Sequence, residues 1–181
     1  MEDVVRREAP GLLSYLTRQT GSPADAADLL GDVLVVIWRR VDALPADDRD
    51  ARMWLFGVAR RVLSTHRRGT DRRSALTDRL RTVHEADAGA TLPAESDDPK
   101  VDAVRACLDR LPPADREVVA LIHWDGFTVT EAAHLVGARP GAVRSRYHRA
   151  RLRLRTMVEA ELGRGVENAE KRTNRRGATS W

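Results

Sequence analysis

Apolar residues recur along much of this chain at spacings of three and four, which is the period of a helix with one buried stripe. Residues 4–19 carry Val4, Val5, Leu12, Leu13 and Leu16, with Pro10-Gly11 interrupting, so the pattern predicts a helix from about Gly11 to Gln19. Gly21-Ser22-Pro23 then reads as a stop followed by a start. Ser22 can cap, Pro23 suits the first helical position, and Asp25 favours the positive end of the dipole. The second helix is predicted over Pro23 to Val41, with Ala26, Leu29, Leu30, Val33, Leu34, Ile37 and Trp38 as its buried stripe. Val35 and Val36 fall outside that stripe. They are either scattered surface valines or part of a partner surface edged by Asp25, Asp28 and Asp32, and periodicity leaves both readings open. After a polar loop, Asp42 to Asp50, a third helix is predicted over Met53 to Leu63. Its inner face would be Trp54, Leu55, Val58, Ala59 and Val62.

Beyond about residue 71 the periodicity fades, and Glu85 to Pro99 is rich in small, acidic and proline residues, the composition of a flexible linker. Periodicity returns with Val101, Val104, Ala106, Cys107, Leu108 and Leu111, halted by Pro112-Pro113. A further helix runs from Asp115 through Val118 to Trp124 and turns at Asp125-Gly126. Thr128 and Glu131 then have the spacing of a capping box ahead of Ala132, Ala133, Leu135 and Val136. Gly137 closes that short helix and Pro140 opens the next, where Val143, Tyr147, Ala150 and Leu154 form one buried stripe. The fold class is therefore all-α, with two small helical domains. The expected division is 1–74, a linker over 75–100, a second domain over 101–162, and a basic, disordered tail over 163–181 that ends in Trp181.

Composition narrows this picture. Aromatic residues are 4% and charged residues 32% of the chain, so the cores must be built from Leu, Val and Ala. Cys107 is the single cysteine, which excludes an intrachain disulfide and a cysteine-rich zinc site and suits a reducing, cytoplasmic setting. The charged start Met-Glu-Asp-Val-Val-Arg-Arg-Glu has no apolar signal core, and the run Val33 to Trp38 is too short to span a bilayer. A soluble protein without a membrane partner is expected. The formal net charge of +4 hides strong segregation. Arg139 to Arg155 holds seven arginines, and no acid occurs from Ala132 to Val158.

An arginine-rich helix is often only a solvated face, but such faces mix signs so that acids support bases one turn away. This one lacks acids and follows a turn and a short capped helix, the order of a helix-turn-helix that binds nucleic acid. A second basic cluster, Arg60, Arg61, His66, Arg67, Arg68, Arg72 and Arg73, exceeds what a helix C-terminus needs for its dipole. Trp54 and Phe56 beside it would suit base stacking on a single strand or a place in the core, and the core reading is preferred. His123, His134 and His148 are too scattered for a metal site, and no cofactor is expected. No nucleophile–base pair, carboxylate dyad or phosphate-cradling glycine loop occurs at usable spacing, so an enzyme is not expected.

The residues Leu108 to Arg155, with the run Leu-Pro-Pro-Ala-Asp-Arg-Glu-Val-Val-Ala-Leu-Ile at its start, resemble region 4 of the bacterial extracytoplasmic-function (ECF) sigma factors of the sigma-70 family. Ala24 to Arg40 and Met53 to Arg68 resemble region 2 of the same family, and the likeness spans about residues 11–73 and 104–156. The resemblance implies a subunit that gives core RNA polymerase its promoter specificity. It implies core polymerase binding by Asp28, Leu29, Asp32, Val33, Ile37 and Trp38. It implies contact with the melted minus-ten element by Arg60, Arg61, Thr65, Arg67 and Arg68, and with the minus-thirty-five element by Arg139, Arg144, Ser145, Arg146 and Arg149. Promoter DNA, core RNA polymerase and an anti-sigma factor are the implied partners. The chain departs from the family at Ala27 and Gly31, where Glu and Gln are frequent, and at Arg61 and Thr65, where Asn and Asp are frequent. Arg139 and Ala142 replace small hydroxyl residues at the start of the recognition helix. Two alternatives of other classes stand beside this reading: a stand-alone helix-turn-helix regulator, and an interaction protein that occupies polymerase or an anti-sigma factor without initiating.

Overall fold

The computed structural model describes residues 2–78 and 98–177. Seven α-helices and one 3-10 turn, with no strand among the described residues, make the all-α fold the sequence predicts. They are α1 (Glu2–Thr20), α2 (Pro23–Arg39), α3 (Asp48–Asp78), α4 (Pro99–Asp109), α5 (Pro113–His123), α6 (Val129–Val136) and α7 (Pro140–Gly177), with the 3-10 turn at Val41–Ala43. No described helix is long and apolar enough to cross a membrane. The helices fall into two compact units, one of α1, α2, α3 and α6, the other of α4, α5 and α7.

In the first unit, α1 runs straight through Pro10 instead of beginning at Gly11. Proline removes one hydrogen bond and crowds one carbonyl, but Pro10 lies on the exposed side of a helix whose other face is held by Leu12, Tyr15 and Leu16, all fully buried. Gly21, at φ 72°, closes α1 by donating to the Thr17 carbonyl at 2.9 Å. Ser22 caps α2 as expected, its hydroxyl accepting from the Asp25 N–H at 3.2 Å. The buried stripe of α2 is narrower than predicted: Ala26, Leu29, Val33 and Ile37 are buried, while Leu34 and Trp38 are exposed. α3 begins five residues ahead of Met53 because Asp47 caps it, accepting from the N–H groups of Arg49 and Asp50 at 2.8 and 3.0 Å. Its buried positions are Ala51, Leu55, Phe56, Ala59 and Leu63. Phe56 meets the edge of Tyr15 with ring centroids 5.6 Å apart, and the Arg52 guanidinium lies 5.3 Å over the Phe56 ring. Phe56 is therefore core, and Trp54 is half-buried. Arg7 reaches Asp48 at 2.9 Å and holds that carboxyl below its ordinary value by hydrogen bonding. Glu131 of α6 pairs with Arg49 through both carboxylate oxygens.

In the second unit, Asp98 caps α4 by accepting from the Lys100 N–H at 2.8 Å, with Pro99 in the first turn. Arg116 of α5 closes the other end of α4: its Nη2 donates to the Asp109 carbonyl at 2.5 Å. Burial pushes the Asp109 carboxyl up, against the pull of Arg116 and Arg105. Cys107, Leu108, Val118, Val119, Leu121, Val143 and Ala150 are buried and supply the core. α7 continues to Gly177, through most of the stretch expected as a disordered tail. No proline follows Pro140, and Glu, Lys, Arg and Ala in that stretch are good helix formers. The linker segment 79–97 and Trp181 lie outside the described residues.

Candidate polymerase and nucleic-acid interfaces

The arginine helix is set by two local devices. At the end of α6, Gly137 takes φ 68° and donates to the His134 carbonyl at 3.2 Å, while the Ala138 N–H reaches back to the Ala133 carbonyl at 2.9 Å. This pair of bonds is a Schellman stop, and glycine is the residue that adopts such a φ without strain. Arg139 then stands at the cap of α7, its carbonyl accepting from Ala142 and Val143 at 2.9 and 3.1 Å. α6, the turn and α7 thus follow one another in the order the sequence predicts.

Along α7 the apolar stripe faces inward at Val143 and Ala150, with Tyr147 and Leu154 half-buried. The Tyr147 hydroxyl lies 2.8 Å from Nε2 of His123 on α5, and the Arg151 guanidinium sits 5.7 Å over the Tyr147 ring. Arg139, Arg144, Ser145 and Arg149 are exposed. Arg146 is different: it is half-buried, and its Nε lies 3.5 Å from Oδ1 of Asp115 on α5. Nothing in the sequence signals this pairing, since Asp115 reads as an ordinary first-turn acid until α5 and α7 are packed together.

The basic end of α3 is also partly engaged. Arg61, Thr65, Arg67 and Arg68 are exposed and Arg60 is half-buried. Arg67 donates from Nη2 to the backbone carbonyl of Gln19 at 2.6 Å and to its side-chain oxygen at 2.9 Å, which closes the C-terminus of α1. Arg68 donates to the Thr65 hydroxyl at 3.2 Å, and Thr65 itself donates to the Arg61 carbonyl at 3.1 Å. Gln19 is a residue that sequence reasoning missed.

On α2, the six residues implied for polymerase binding divide by burial. Asp28, Asp32 and Trp38 are exposed, Trp38 to 72%. Leu29, Val33 and Ile37 are buried within the bundle and have no surface to offer a partner. Beside the exposed group stand Leu34, which periodicity places in the buried stripe, and Val35, both exposed.

The Sigma-70 region 2 model matches residues 4–73 and the Sigma-70 region 4 model matches residues 102–154. The chain is 31% identical over 172 residues to the ECF RNA polymerase sigma factor SigL of Mycobacterium tuberculosis strain H37Rv, covering 90% of each chain. The chain belongs to the ECF RNA polymerase sigma factors. As a sigma factor it directs core RNA polymerase to promoters, and its partners are that polymerase and promoter DNA. The regulator and non-initiating alternatives are not favoured. Among solved structures, the sigma factor RpoE of Bartonella quintana, in complex with the anti-sigma factor NepR, shares the fold. Its TM-score is 0.70 at 24% identity, over 87% of this chain and 96% of that one. CnrH, in complex with the cytosolic domain of CnrY, is similar at a TM-score of 0.59 and 27% identity, over 88% of this chain and 87% of that one.

Proposed function

We propose that this sigma factor holds promoter DNA at two points while the exposed side of α2 holds the polymerase. α7 enters the major groove of the minus-thirty-five element, where Arg139, Arg144, Ser145 and Arg149 contact base edges and phosphates. Arginine suits both tasks, through bidentate bonds to guanine and charge pairing to phosphate. Arg146, implied beside them by the resemblance, is turned toward Asp115 instead. The basic end of α3 takes the melted minus-ten strand through Arg60, Arg61, Thr65 and Arg68, with Arg67 fixing the end of α1 beside them. Asp28, Asp32 and Trp38, extended by Leu34 and Val35, form the polymerase-docking face, and Leu29, Val33 and Ile37 anchor that face from behind. The mechanism is binding, and the polymerase supplies the chemistry. The protein works in the cytoplasm. An inhibitory anti-sigma partner belongs to the same reading: CnrH was solved with a protein partner, and exposed Trp38, Leu34 and Val35 offer apolar surface for one to cover.

The observation that carries this reading is the exposed face of α7, where Arg144 and Arg149 have no acidic partner among the described residues. Such a helix repels itself until an anion binds. Arg144→Ala and Arg149→Ala are each expected to flatten the salt dependence of duplex binding by roughly 0.9 in log–log slope, the loss of one phosphate contact. An unchanged slope in both variants would remove α7 from the duplex interface.

A further inference from the structure

The carboxylate of Asp115 is shared between two arginines of one helix. Oδ1 lies 3.5 Å from Nε of Arg146, and Oδ2 lies 3.1 Å from Nη1 of Arg153. The side chain of Asp115 is only 15% exposed, so this acid sits under the arginines and is shielded from solvent. Arg146 and Arg153 are about two helical turns apart and leave α7 on the same flank, the one turned to the start of α5. Asp115 itself lies in the first turn of α5, where a negative charge is already favoured by the helix dipole. The result is a fixed anion that occupies two of α7's cations, while Arg144 and Arg149 on the remaining circumference stay exposed.

This division matters because each arginine that reaches a phosphate adds to the sequence-independent part of DNA affinity. A helix with every arginine available would hold any duplex tightly. We propose that Asp115 is a positioning residue for promoter recognition: it keeps Arg146 and Arg153 against α5 and so limits how many α7 cations meet the phosphates. The inference rests on α7 being the helix that reads duplex DNA. Asp115 never touches DNA in this scheme. It acts as an internal stand-in for a phosphate, and the smaller cation set that remains leaves base contacts a larger share of the binding energy.

The test is the slope of log affinity against log salt, from about 50 to 200 mM, for the full chain and a short duplex of random sequence. Asp115→Asn is expected to steepen the slope by roughly 0.9 for each arginine it releases, and to tighten binding at low salt. Asp115→Glu, which keeps the anion, is expected to keep the parent slope. The triple variant Asp115→Asn, Arg146→Gln, Arg153→Gln is expected to return to the parent slope. Arg146→Gln with Arg153→Gln, which leaves Asp115 in place, is expected to match the parent as well. A damaged fold lowers affinity and gives no steeper slope, so loss of structure does not imitate the expected result. If the Arg146, Arg153 double variant flattens the slope, those arginines already touch phosphate and the inference is overturned. It is equally overturned if Asp115→Asn keeps the parent slope while Arg144→Ala flattens it. If neither Arg144→Ala nor Arg149→Ala changes the slope, the duplex-reading assignment of α7 and the role of Asp115 fall together.

Discussion

Phe56 illustrates how a single residue divides structure from function in this chain. Its place beside a run of arginines invites a base-stacking role, but it is 1% exposed and packed edge-on against Tyr15. Aromatic pairs of that geometry stabilise beyond their buried area, and removal of a buried ring leaves a cavity that a close-packed helix pair fills poorly. Phe56→Ala is accordingly expected to destabilise the fold by about 3–5 kcal/mol, measured by denaturant unfolding. A loss of single-strand binding with unfolding free energy unchanged would show the ring to be a DNA contact instead. Arg67 and Arg146 teach a related lesson. Both carry the charge that DNA binding needs, and both already have partners, one on the α1 terminus and one on Asp115.

At the scale of the element, what was legible in the chain depended on whether the deciding partner was local. The caps at Ser22 and the stop at Gly137 follow from residue types a few positions apart, and the structure has them where the sequence predicts. The continuity of α1 through Pro10 was not legible, because packing by Leu12, Tyr15 and Leu16 outweighs a proline that local rules treat as a break. The predicted stripe on α2 is wider than the buried one for a similar reason. Leu34 and Trp38 have the period of core residues, yet the buried face is filled by Ala26, Leu29, Val33 and Ile37, which leaves those two in solvent. Periodicity locates an apolar side; only the neighbouring helices decide how much of it is covered. That uncovered side, with Asp28 and Asp32 beside it, is the docking face proposed for polymerase. Asp32→Arg reverses a charge on this face without entering the bundle core, since Asp32 is exposed. It is expected to weaken association with core polymerase at least tenfold, about 1.4 kcal/mol, in a pull-down titration, and to leave the chain's duplex affinity near that of the parent. Equal core affinity for the two proteins would take the docking surface away from this face.

The whole molecule combines the docking face proposed for polymerase on one unit with an arginine helix on the other, and the account needs both for promoter-directed transcription. Family membership is secured by region 2 and region 4 matches over residues 4–73 and 102–154 and by a relative aligned over 90% of the chain. The departures at Ala27, Gly31, Arg61 and Thr65 fall on α2 and the basic end of α3, so on the proposed assignment they bear on partner affinity and promoter preference more than on fold. At this scale the helical class and the two basic surfaces were legible from charge segregation and periodicity. The internal pairing that engages arginines of those surfaces was not, because it joins residues far apart in the chain, such as Asp115 with Arg153 and Gln19 with Arg67. Run-off transcription with core polymerase, on templates recovered from DNA bound by the protein in cells, tests the central claim most directly. The account predicts a discrete transcript that appears only when the protein is added and that is lost with the Asp32→Arg variant. A protein that shifts the same duplex but yields no transcript with core polymerase would contradict it.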